Sequence, residues 1–219
     1  MRRTTDSDSI RTGSRTMERL SLVVIALVIA ISVRPSWADE GEAAKSAVAG
    51  LQGRLIEVMK NAAGKTVPER YEMLTPAIRE YFHFPIIARL AVGEYWSAAT
   101  ADQRERLATG VFRLTVATLA TFIDGYEDQF FKVRGVTDGP AENVLIVDTM
   151  LIQPESDNHR LSYLVANRGE RWGVIDAIID GGISELNVRR SEYSRVLEEG
   201  GVEALISALN AKADELLQP

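Results

Sequence analysis

Asp148 and Asp176 each interrupt an apolar run, VLIVDTMLI and VIDAII. A carboxyl group in apolar surroundings has a raised pKa and can exchange protons near neutrality. With a tyrosine, such acids would suit a small cone-shaped α+β isomerase or hydratase. The plainer reading puts each carboxylate at a rim, or beside an arginine such as Arg134, Arg160 or Arg171, because buried charges persist when paired. His83, in YFHFP, is a lone imidazole among aromatics; it reads as a hydrogen-bonded structural residue before it reads as a general base. His159 lies in a polar turn, where water reaches it. The glycines of GGIS at 181–184 resemble a phosphate loop, but a strand-to-helix turn needing positive φ accounts for them. Arg189, Arg190 and Arg195 could hold a phosphate or a partner's acid, or could line a solvated helix face.

No dinucleotide, P-loop, zinc-protease or nucleophile-elbow motif occurs. The chain has no cysteine, which removes disulfides, thiolate nucleophiles and sulfur-ligated metals. No cofactor or metal is expected.

The elements that carry these residues run helices, strands, helices. Val48, Leu51, Leu55, Val58 and Met59 recur at helical spacing over Ala43 to Ala62, which ends near Gly64. The next stretch, VPERYEMLTPAIREYF, reads as short helical pieces broken at Pro68 and Pro76. Pro85 opens a helix that Gly93 stops. The strongest helix begins at the capping box Thr100 to Gln103, with Leu107, Val111, Leu114, Thr118 and Phe122 as its apolar stripe. Four strands follow at 130–136, 144–152, 160–167 and 171–179, parted by turn residues. Short connectors make the last three an antiparallel meander. A helix over ELNVRRSEYSRVLEE stops at Gly200-Gly201, and VEALISALNAKADELL forms another. The pattern defines one α+β domain with helices packed on the sheet.

The second strand poses a question about that packing. Val144, Ile146 and Met150 point to one face, and Leu145, Val147 and Leu151 to the other, so both faces are apolar. The last strand is similar, with Trp172, Val174 and Ile178 opposite Ile175, Ala177 and Ile179. Helices cover one face; the other needs more helices or a cavity that excludes water.

The 219 residues suffice for one well-packed domain, and the net charge is −6. The first 38 residues hold six of the 25 basic and three of the 31 acidic side chains, which leaves 19 and 28 in 39–219, a net of −9. That balance disfavours nucleic acid and gives no long-range pull towards an anionic bilayer. Arg19, the apolar run Leu20 to Val33, and small Ser36 and Ala38 have the layout of a secretory signal peptide cleaved after Ala38. The run is shorter than the roughly 20 residues of a spanning helix. Residues 1–38 are therefore read as a leader with a polar extension, starting at Met1 or Met17, and 39–219 as the mature, periplasmic domain.

Two long stretches resemble a known family. FHFPIIARLAVGEYWSAATADQRER is similar to the MlaC pattern of Phe-x-Phe, an apolar helix, Leu-Gly-x-Tyr-Trp and Thr-x-x-Gln-Arg. RWGVIDAIIDGGISELNVRRSEYSRVLEEGGVEAL resembles its Trp, strand, Asp, Gly-[Val/Ile]-Ser and Arg-x-x-[Phe/Tyr] pattern. The likeness spans about residues 43–213. The family is also called toluene-tolerance or ABC-transporter auxiliary proteins, and its hopanoid-associated HpnM branch is a near candidate. The resemblance implies helices on a curved, mainly antiparallel four-stranded sheet (NTF2-like or MlaC-like) with an internal apolar pocket. It also implies a periplasmic carrier of phospholipid or hopanoid-type lipid, with an inner-membrane ABC/MCE-type complex and an outer-membrane lipoprotein complex as partners. On it, Asp176, Tyr95-Trp96 and Arg190 are signatures of the fold, not catalytic groups. The acidic surface favours docking to proteins over anionic membrane.

In that setting, the second apolar face lines a lipid pocket. The residues assigned to it are Val144, Ile146, Met150, Tyr163, Val174 and Ile178, facing Leu90, Tyr95, Phe112, Val116, Leu119 and Phe122. Arg189, Arg190 and Arg195 are assigned to a partner or head group. A cone-shaped enzyme and a periplasmic protein-binding adaptor remain the alternatives.

Overall fold

The computed structural model describes residues 37–218 apart from Glu170. The expected leader lies almost wholly outside them. Five helices come first: α1 (Trp37–Ala62), α2 (Val67–Tyr81), α3 (Phe84–Val92), α4 (Tyr95–Ala98) and α5 (Ala101–Phe122). Five strands follow: β1 (Phe130–Asp138), β2 (Val144–Ile152), β3 (His159–Arg168), β4 (Arg171–Ile179) and β5 (Ile183–Ser184). A kinked helical segment, α6 (Glu185–Leu216), completes the order.

Local chemistry sets most boundaries. At Thr66 and Thr100 the hydroxyl accepts the N–H of Glu69 or Gln103, and that residue's side chain accepts the threonine N–H. Gly93 stops α3 at φ 60°, a conformation that costs glycine little. The expected break at Pro76 does not occur, and α2 is one helix of 15 residues. Pro68 sits in the first turn, where no N–H is missed, and exposed Pro76 leaves the carbonyl of Glu72, itself exposed, to water. The C-terminal stretch breaks where expected: Gly201 takes φ 69° and ψ −166°, so α6 is two helices that meet at a kink.

The sheet has five antiparallel strands in the order β1-β2-β3-β4-β5, one more than expected, the extra being two residues long. Directly opposed residues share a face. Leu145, Val147 and Thr149 therefore lie on one face with Val165, Tyr163 and Leu161, and with Val174, Ala177 and Ile179. The opposite face carries Val144, Ile146, Asp148 and Met150 with Ala166, Leu164, Ser162 and Arg160, and with Asp176 and Ile178. A bulge between the Val165–Val174 and Leu164–Asp176 pairs breaks strict alternation in β4. This overturns the grouping of Val174 with Ile178: the extra residue turns Val174 to the face of Ala177 and Ile179.

Helix α1 lies on the first face. Val48 and Leu51 join Val147, Val165 and Val174 in the core. A polar chain runs through that core: the Gln52 amide donates to Thr149 Oγ1 (3.0 Å), which donates to the Leu161 carbonyl (2.9 Å). Tyr163 beside it is buried, and burial pushes its hydroxyl up to about 12. This face is closed by the protein's own side chains. The other face of β2 is half-buried.

Candidate functional site

The groups with the clearest chemistry in the sequence prove to be structural. Asp176 is buried and accepts from three donors: the Ala177 N–H (2.8 Å), the Ser184 hydroxyl (2.6 Å) and the Leu186 N–H (2.9 Å). It ties the end of β4 to the start of α6. Asp148 faces Arg160 through both oxygens (3.0 Å each) and accepts from the Ser162 hydroxyl (2.5 Å). Burial opposes ionisation there, but Ser162 and Arg160 outweigh it and hold the carboxyl below its usual range. Asp148 is therefore not poised to take up a proton. His159, expected in a solvated turn, instead opens β3, with Nδ1 2.9 Å from Asp180.

His83 is more constrained. Gly173 has no Cβ, and one placed there would lie 2.7 Å from the imidazole, so the ring packs directly on β4. Arg171 can only donate, so His83 Nδ1 accepts from it (2.8 Å); the proton sits on Nε2, which faces the Arg171 carbonyl (3.2 Å). Burial, then the Arg171 charge, pushes the imidazole below its ordinary value. The folded state thus holds a neutral ring that the unfolded chain protonates near pH 6.5. The stability this gives is full above about pH 6.5 and is lost as pH falls through the depressed folded value. Urea midpoints from pH 8 to 5 should fall more for the native protein than for His83→Gln; parallel curves would exclude this role.

A concavity lies on the helical side. It has a volume of about 670 Å³ and opens between α2, α3, α4 and α5, with Arg171 of β4 at its border. Its apolar wall is Phe82, Phe84, Trp96 and Phe112. Phe82 and Phe84 stack at 5.7 Å, and Phe84 meets Phe112 edge-on at 5.1 Å. Phe84 and Phe112 also belong to the buried core, so the cleft floor is the core's own edge. Arg79, Arg104, Arg113 and Arg171 surround it with a single carboxylate, Glu105. Tyr71 and Arg113 also line a second concavity of about 430 Å³, bounded by Pro68, Glu69, Glu72 and Leu217, so the two run on along α2.

The residues singled out for a lipid are dispersed. Phe112 alone of the twelve lines the larger cleft. Val144, Ile146, Met150 and Ile178 share the half-buried sheet face, whereas Tyr163 and Val174 are core residues of the opposite face. Val116 is fully buried, Leu90, Tyr95 and Leu119 are half-buried, and Phe122 is 75% exposed, so the apolar stripe of α5 ends before it. Arg189 pairs with Glu192 (2.9 Å) and, more distantly, with Glu185 (3.9 Å). Arg190 lies over Gly93, and Arg195 is exposed.

The cleft arginines were missed because they come from α2, α5 and β4, which only the fold unites. One signal was present: Phe82-His83-Phe84, Tyr95-Trp96 and Gln103-Arg104 are the stretches quoted above for their family pattern, and they converge here. A helical layer packed on an antiparallel meander, with an aromatic cleft open between the helices, is an α+β ligand-binding architecture. The MlaC protein family matches over residues 50–211, and the chain belongs to that family. Among solved structures, it is similar to the phospholipid-binding protein from Ralstonia solanacearum, which was solved in complex with a phospholipid. The identity is 19% and the TM-score 0.70, over 80% of this chain and 99% of that one. Among curated proteins, none matches.

Proposed function

We propose that this protein is a non-catalytic lipid carrier that acts in the periplasm after removal of residues 1–38, taking phospholipid or hopanoid-type lipid between an inner-membrane ABC/MCE-type complex and an outer-membrane lipoprotein complex. The observation that carries this reading is the aromatic cleft whose floor is continuous with the core. Family membership supports it, and so does a fold shared with a protein solved around a phospholipid.

Carriage is needed because water disfavours the cargo. Burial of a lipid chain is worth roughly 0.8 kcal/mol per CH₂, so a chain of about 16 carbons is held back by more than about 10 kcal/mol. A carrier offsets this with a water-excluding apolar site. Val147, Val165 and Val174 fill the space beneath α1. Loaded protein therefore needs its helices to part, and the seam between α2, α3 and α5 is where a concavity already reaches the core. The half-buried band of Val144, Ile146, Met150 and Ile178 is a second apolar surface for the chains.

Organic extraction of the purified protein, followed by mass spectrometry, should yield phospholipid or hopanoid in stoichiometric amount. Protein that remains lipid-free after expression in a lipid-producing host would refute the reading.

A further inference from the structure

The charges around the cleft oppose those of the rest of the protein. Residues 39–219 carry a net −9, yet the cleft is lined by four guanidiniums and one carboxylate. Arg113 is compensated, since it donates to Asn210 (2.5 Å) and Asp214 (2.7 Å). The other three have no ion pair among the described residues. Among the described residues Arg104 donates only to the Trp96 and Ser97 carbonyls (2.9 and 3.1 Å), and it sits 5.7 Å from the Trp96 ring. Arg171 donates to the Glu80 and Phe82 carbonyls and to His83. Arg79 lies over the Phe112 ring at 4.7 Å.

These contacts fix the guanidiniums and neutralise none of them. Each has five N–H donors, and the bonds to carbonyls and imidazole leave some unused. Fixed arginine forks match the oxygens of a phosphate, and positioning them beforehand removes part of the entropic cost of binding. The volume of about 670 Å³ and the wall of four aromatic rings exceed what an inorganic ion needs. The ligand must carry an apolar part beside its anion.

We infer that this cleft seats a phosphate-bearing amphiphile, with its phosphate on Arg79, Arg104 and Arg171 and its apolar part over Phe82, Phe84 and Phe112. The inference rests on the lipid-binding reading and adds the head-group chemistry to it. A carrier built this way distinguishes a phosphate-bearing lipid from its phosphate-free counterpart.

Calorimetric titration of the delipidated protein tests it with three probes: dihexanoylphosphatidate, dihexanoylglycerol and inorganic phosphate. Phosphatidate should bind at least about tenfold more tightly than dihexanoylglycerol, the scale of one or two charge-assisted hydrogen bonds. Inorganic phosphate should bind more weakly than phosphatidate. Arg79→Gln breaks no hydrogen bond among the described residues and should remove most of the phosphatidate advantage while leaving dihexanoylglycerol binding within about twofold; losing its contact over the Phe112 ring should lower the melting temperature by no more than about 3 °C. Arg54→Gln, at an exposed arginine of α1 that lines neither concavity, should change nothing. Equal affinity for the two lipids, an unaltered Arg79→Gln titration, or inorganic phosphate binding as tightly as phosphatidate would each overturn the head-group assignment while leaving lipid carriage standing. If neither lipid binds, carriage itself falls, and the head-group assignment with it.

Discussion

Replacing Asp176 by alanine is expected to lower the unfolding free energy by about 3–5 kcal/mol, the range for breaking a buried, charge-assisted network. The residue is 8% exposed, and its carboxylate accepts from Ala177, Ser184 and Leu186. Truncation strands two backbone N–H groups and a hydroxyl at the junction of β4, β5 and α6. For a domain of this size the melting temperature should fall by about 10 °C. Asp176→Asn keeps the shape and one carbonyl oxygen, and should lose less than half as much. A melting curve separates this from catalysis: an acid–base role predicts loss of a reaction with stability intact in the asparagine variant. An alanine variant as stable as the native protein would remove the junction argument.

Phe112→Ala should have the other large effect, about 3–5 kcal/mol, as for other buried aromatic-to-alanine changes. Phe112 is 8% exposed, meets Phe84 edge-on and lies under the Arg79 guanidinium. Its removal opens the floor of the cleft into the core. The prediction therefore has two parts: a lower urea midpoint, and several-fold less lipid retained by protein purified at a temperature where it is still folded. Phe112→Leu preserves most of the apolar volume and should lose about 1 kcal/mol. If Phe112→Ala kept its full lipid load, the ligand's apolar part would lie elsewhere, with the Val144–Ile146–Met150 band as the alternative.

Much of the fold could be read from local chemistry, and the reasons are specific. The capping box read at Thr100 involves residues three apart, so its signature survives in the linear chain; the box at Thr66 is as local and went unread. Strand positions were legible because alternation and turn residues are also local: β2 and β4 coincide with the expected 144–152 and 171–179. Pro76 misled because exposure, which makes a lost helix bond tolerable, is a tertiary property. The bulge in β4 misled for a similar reason, since the extra residue is visible only against β3, and it separates Val174 from Ile178. The cleft depended most on the fold. Arg79 and Arg171 lie 92 positions apart in the numbering, and no periodicity links a residue near the end of α2 to the first residue of β4. Aromatic residues were visible in the helical half, but their meeting with arginines was not.

The pairing of α5 with α6 bears on how the chain comes to be folded at all. Gly110 lets Leu209 approach so closely that a Cβ there would be 3.1 Å away, and Arg113 reaches Asp214 at 2.7 Å. These partners are separated by about a hundred residues of sequence, with the whole meander between them. During synthesis, the flank of α5 that α6 will cover waits bare until the final segment has emerged, so closure is a late event governed by long-range contacts. Loss of the last twenty or so residues would leave that flank permanently unsealed.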